Sequence, residues 1–157
     1  MKRFLNVRTM VITSILLLTA ISVSAVERPF ACSGNGIANF VLNDAGIPTG
    51  ATITASGNGT HLGIWSFAGT LQFTIDASDP RIGHVTGDGG FTAANGDKLY
   101  TVLEDAVMDF TTGLGHGKLR FVGGSGRFAG ASGITELVVV QSPTGAFEFT
   151  TVGTIDY

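Results

Sequence analysis

The chain has 157 residues, with nine Lys and Arg against twelve Asp and Glu and a net charge of −3. An acidic balance of this kind fits neither nucleic acid nor an anionic membrane surface as a partner. A single cysteine excludes an internal disulfide, so stability has to come from a hydrophobic core.

Lys2, Arg3 and Arg8 precede an uncharged, mostly apolar stretch from Met10 to about Val23, and Val23-Ser24-Ala25 closes it. Small residues ending a short apolar run mark a secretory signal peptide, cleaved after Ala25. The stretch is shorter than the ~20 apolar residues a membrane span needs. The expected organisation is a signal at residues 1–25 and a single domain at 26–157, secreted or periplasmic, with no membrane span after cleavage. Residues 26–157 keep six Lys and Arg against twelve Asp and Glu, a net charge of −6. Cys32 follows charged Glu27 and Arg28, which is not the placement of a lipoprotein cysteine. It is read as a tolerated, partly buried thiol rather than a link between two copies.

Beyond Ala25 no stretch sustains a helical hydrophobic period, whereas period-two alternation recurs. The strand candidates in chain order are Gly36–Leu42, Gly50–Ser56, Trp65–Ile75, Gly83–Gly87 and Gly90–Ala94. Lys98–Glu104, Val107–Thr111, Lys118–Val122, Ile134–Gln141 and Ala146–Ile155 follow. In the longest, Trp65, Phe67, Leu71, Phe73 and Ile75 share one face with Gly69, which predicts one buried face and a bend or bulge at the glycine. Asn43-Asp44-Ala45-Gly46 and Pro143-Thr144-Gly145 read as reversals, and Asn95-Gly96 as a type I′ hairpin turn. Ile134–Val140 is apolar on both faces, which predicts a strand covered on both sides. Many short strands with glycine-rich turns describe a sandwich or a barrel. The expectation is one all-β domain of about eight strands, closed into an antiparallel barrel because closure would remove the exposed edges.

Gly123-Gly124-Ser125-Gly126-Arg127-Phe128-Ala129-Gly130-Ala131-Ser132-Gly133 lies between two β-type segments. Its glycines exclude a helix and suit a tight connection with several residues at positive φ. With Asn58-Gly59-Thr60-His61-Leu62-Gly63 and Phe91-Thr92-Ala93-Ala94-Asn95-Gly96-Asp97, this run resembles the bacterial exported members of the allene oxide cyclase barrel-like, dirigent-like group. The resemblance implies an eight-stranded, calycin-like antiparallel barrel and a homo-oligomer as one form of assembly. It carries over no catalytic position, because none of the three blocks is the catalytic set of the plant cyclases.

The residues that can carry chemistry are few. His61 is a candidate base or ligand at a barrel mouth, against a histidine that orders the strand entry by hydrogen bonding a loop. His61, His84 and His116 are too dispersed for a zinc site, so no metal or cofactor is expected. Glu104, Asp105 and Asp109 read as solvated carboxylates at a strand end. Arg120 alternates with Leu119 and Phe121. Pointing inward it can hold a carboxylate; pointing outward it is ordinary surface. Glu136 amid apolar neighbours is a candidate inward partner for Arg120 or Arg127. Gly124-Ser125-Gly126-Arg127-Phe128-Ala129 matches a dinucleotide fingerprint in form, but no helix follows to receive a pyrophosphate.

Phenylalanine-rich strands make the primary expectation a non-enzymatic barrel binding an apolar small molecule or surface component. His61, Trp65, Phe67, Arg120 and Glu136 are its candidate ligand-binding residues. The alternatives are a cyclase- or isomerase-type enzyme acting on a small apolar substrate inside the barrel, and a structural or surface-assembly protein.

Overall fold

The computed structural model describes residues 26–157; the expected signal, residues 1–25, lies outside the described residues. Eight strands follow one another: β1 (Arg28–Leu42), β2 (Pro48–Gly59), β3 (Gly63–Ile75), β4 (Ile82–Thr92), β5 (Lys98–Asp109), β6 (Leu114–Gly124), β7 (Ser132–Gln141) and β8 (Ala146–Asp156). Each pairs antiparallel with the next, and β8 returns to β1 from Arg28↔Ile155 to Ile37↔Ala146. The chain is thus an all-β, closed eight-stranded barrel, the expected one of the two architectures, sandwich and barrel, that its strand pattern allows. Closure satisfies every edge that an open sheet would expose. Among the described residues no helix is long and apolar enough to cross a membrane.

Several local expectations need correction. Gly83–Gly87 and Gly90–Ala94 are one strand, β4, and Lys98–Glu104 and Val107–Thr111 fuse into β5. The carboxylates Glu104 and Asp105 do not end a strand. The register shifts between Glu104 and Val107, with Asp105 at φ 48°, so the charged pair is absorbed as a bulge. Gly69 is not a bulge, for it pairs regularly with Ile53 and Gly89. A Cβ there would lie 3.0 Å from Phe67 Cε1 and 2.6 Å from the Asp88 carbonyl oxygen, so the glycine makes room for a ring and a close strand. The hairpin at Asn95-Gly96 forms, but its turn is not type I′. Only Gly96 has positive φ, and its N–H donates to the Ala93 carbonyl at 2.9 Å. The glycine-rich run also contains one turn of 3-10 helix, Gly126–Phe128.

Strand β7 is not covered on both sides. Ile134, Val138 and Val140 remain about half exposed on the outer wall, beside Val152 of β8. Inward are Thr135, Leu137 and Val139.

The barrel has two unlike ends. The β2–β3, β4–β5 and β6–β7 connections gather at one, where Phe30, Leu62, Phe91, Leu99, Phe121, Phe128 and Ile155 are at most 2% exposed. Each such side chain stabilises the fold by ~1.5–3 kcal/mol relative to exposure. The 3-10 turn plugs this end with Phe128, whose ring packs edge-on against Tyr157 at 5.0 Å. The turn is possible because Gly123 and Gly126 adopt φ 102° and 59°, conformations side chains resist. The other end carries the β1–β2, β3–β4, β5–β6 and β7–β8 connections. Inward side chains there, among them Leu71, Phe73, Leu103 and Val139, are only half-buried.

Candidate functional site

The half-buried interior marks a cavity of about 110 Å3, reaching from mid-barrel toward the less densely packed end. Its wall is set by strand phase. In β3 the alternation that buries Trp65 also turns Phe67, Leu71 and Phe73 inward. Leu103 and Met108 come from β5, Leu137 and Val139 from β7, and Phe147 and Phe149 from β8. Phe40, Phe73 and Phe110 form an aromatic row near the mouth, with neighbouring ring centroids 5.9 and 5.8 Å apart.

Polar groups inside are few and mostly committed to the barrel itself. Thr101 Oγ1 donates to the Gly89 carbonyl at 3.4 Å, Thr151 Oγ1 donates to Thr135 Oγ1, and Thr135 Oγ1 donates to the Leu119 carbonyl. Hydroxyls satisfied in this way leave the wall apolar. Gln141 adds an amide to the lining. Asp88 and His116 also belong to the lining residues, but both are exposed. The Asp88 carboxylate accepts from the hydroxyl of Thr70, another exposed residue. Among the described residues, then, no ionisable side chain points into the cavity. Nor does any group of three or more His, Cys, Asp or Glu there stand ready to hold a metal ion.

The structure separates the residues singled out by sequence. Phe67 lines the cavity. Trp65 lies beneath it, edge-on to Phe91 at 5.1 Å and tilted against Phe149 at 5.5 Å. Its Nε1 is buried without a hydrogen-bond partner, a deficit that costs about 1–3 kcal/mol. The indole fits because Gly34 and Gly57 flank it; a Cβ at Gly34 would lie 2.5 Å from Trp65 Cη2.

His61 sits at the plugged end, away from the cavity, in the β2–β3 turn with φ 62°. Its Nε2 pairs with the Pro29 carbonyl and its Nδ1 with the Tyr157 hydroxyl, each at 3.0 Å, and the Arg127 guanidinium donates to its carbonyl. These bonds tie the β2–β3 turn to the starts and ends of neighbouring strands. The role of a base at the mouth is not one this placement permits.

Arg120 and Glu136 face outward. Arg120 Nε donates to Glu104 Oε1 at 2.7 Å on the partly exposed outer wall, so its carboxylate partner is Glu104 and not Glu136. Glu136 is exposed opposite Lys118. No polar core pair forms between them, because a strand's outward positions cannot reach the interior. The dinucleotide-like stretch runs into a three-residue 3-10 turn and then β7, which gives a pyrophosphate no helix to bind.

Leu71, Phe73, Leu103, Met108, Leu137, Val139 and Phe147 were not singled out as site residues by sequence. Their signal is alternation alone, which marks a buried face without distinguishing a filled interior from a hollow one. No known protein-family model matches the chain, and no curated protein matches it.

Proposed function

We propose that this protein is a secreted or periplasmic carrier or binder that holds a small apolar molecule in the less densely packed half of its barrel. One observation carries the reading: the plugged half buries its inward side chains fully, while the other half encloses about 110 Å3 walled by apolar side chains. One water needs ~10–15 Å3 of such space and two to four polar partners, and apolar cavities stay dry and accept apolar guests. The eight-stranded barrel also accords with the resemblance to the allene oxide cyclase barrel-like group. A cyclase or isomerase needs an acid or base beside its substrate, and the cavity wall supplies Phe, Leu, Val and Met instead.

Native mass spectrometry of the protein purified without denaturation from an exporting host tests the proposal. A reproducible added mass, lost on denaturation, is expected. Val139→Trp, which fills the cavity from β7, is expected to abolish it while leaving the far-ultraviolet circular dichroism unchanged. Retention of the same mass by the filled variant would place the ligand elsewhere and overturn the reading.

A second reading, association with another copy, draws on the uncovered outer stripe of Ile134, Val138, Val140 and Val152. Sedimentation velocity showing a monomer at all accessible concentrations would remove it.

A further inference from the structure

The end of the barrel nearest the cavity differs from the plugged end in charge as well as in packing. Its connections carry Asp44 between β1 and β2, Asp76 and Asp79 between β3 and β4, and Asp109 at the close of β5. Arg81 is the single cation among them, and Asp79 already holds it in a two-pronged pair at 2.9 and 2.7 Å. The Ser142–Gly145 turn adds no charge. At the plugged end Arg28, Lys98 and Arg127 balance Glu27, Asp97 and Asp156.

The rim carboxylates are held in their charged form by the turns they build. Asp76 accepts from the Ser78 hydroxyl at 2.6 Å and from the Ser78 backbone N–H at 2.7 Å, and pairs with His84 Nε2 at 2.9 Å. Asp109 accepts from the Thr111 N–H at 2.7 Å. Such bonds push both carboxyls below their ordinary range. Inside, no Lys, Arg or His among the described residues points into the cavity to meet an anion, and burying an unpaired carboxylate is strongly unfavourable.

We infer that the cavity selects against anions: its occupant is a neutral or cationic amphiphile, tail inside the barrel and head at the acidic rim. This rests on the proposed ligand-binding function and narrows it. A fatty acid, whose tail suits the wall equally well, is disfavoured because its head meets an excess of like charge, with the rim's Arg81 already held by Asp79 and His84 by Asp76.

The test compares octan-1-ol, octylamine and octanoate, three heads on one tail, by isothermal titration calorimetry at neutral pH. At low ionic strength octylamine is expected to bind roughly tenfold more tightly than octanoate, with the preference shrinking to a few-fold at physiological salt. Octanol is expected to lie between them and to be insensitive to salt. The variant Asp76→Asn/Asp79→Asn/Asp109→Asn keeps the Oδ1 acceptors that build the turns but removes three charges. It is expected to bring the amine-to-carboxylate ratio close to one while leaving octanol affinity unchanged. Octanoate binding as tightly as octylamine, or a ratio that ignores both salt and the triple substitution, would overturn the inference and leave the cavity reading standing. Failure of all three probes to bind would overturn the cavity reading itself, and the inference with it.

Discussion

Replacing Gly57 by alanine tests whether glycine in this barrel serves close packing rather than turn geometry. Gly57 lies in mid-sheet, paired with Gly34 on one side and Trp65 on the other. A Cβ added there would lie 2.6 Å from Trp65 Cζ2 and 2.7 Å from Gly34 Cα, and would press on the Ser33 carbonyl oxygen. Two of these obstacles are backbone and the third a fully buried indole, so a rotamer change relieves none of them. Overpacking of this kind costs ~1–3 kcal/mol. Loss of glycine's freedom in the unfolded chain returns about 0.4–1 kcal/mol. The net expectation is a loss of about 1.3 kcal/mol, or roughly 5 °C in Tm for a domain of this size. Urea unfolding followed by the emission of Trp65, the chain's one tryptophan, reads both the stability and the displaced indole. Gly130→Ala is the control. It has no atom within 4 Å of its added Cβ and no positive φ, and is expected to gain up to about 1 kcal/mol. Gly57→Ala within about 0.5 kcal/mol of the parent, or Gly130→Ala losing as much as Gly57→Ala, would refute the packing argument.

The two halves of the barrel should also respond differently to truncation. Phe128→Ala, at a site with no exposure, is expected to cost ~3–5 kcal/mol, and Phe73→Ala, on the half-buried cavity wall, clearly less; equal losses in denaturant titrations would mean that both halves are solid. Acid should weaken the fold through the β3–β4 loop. Its bond from the Arg81 guanidinium lowers the Asp79 carboxyl to about 2, and Asp76 is lowered by Ser78 and then His84. An unfolded chain takes up these protons near pH 4 while the native state does not, so their contribution is full above about pH 4 and is lost as the pH falls toward 2. The urea midpoint is expected to fall across that window, less steeply in Asp76→Asn/Asp79→Asn; parallel slopes would contradict the assignment. Finally, burial pushes the Cys32 thiol up to about 12, so a disulfide reagent at pH 8 is expected to label it only as the protein unfolds. Rapid labelling of the native protein would show that the plugged end opens.

Alternation of apolar and polar residues by itself determined that this is an all-β chain, because a two-residue period commits each strand to one wet and one dry face. That the sheet closes, β8 onto β1, only the tertiary structure decided. It placed Trp65, Phe67 and Phe73 on a common inward face, and it marked Gly123–Gly133 as a connection demanding positive φ. Charge-bearing residues within strands were legible only as alternatives. Whether Arg120 and Glu136 face in or out depends on phase relative to neighbours, and a slip of one residue inverts both. Pairing across β5, β6 and β7 decided it, joining Arg120 to Glu104 on the outside. Tertiary structure also decided that His61 ties the plugged end together, since its partners Pro29 and Tyr157 are distant in sequence and meet only when β8 closes onto β1. Most consequential is the cavity. Phenylalanines that fill one half and line a space in the other look alike in sequence, because the difference lies in how opposed walls meet across the barrel and not in any strand alone.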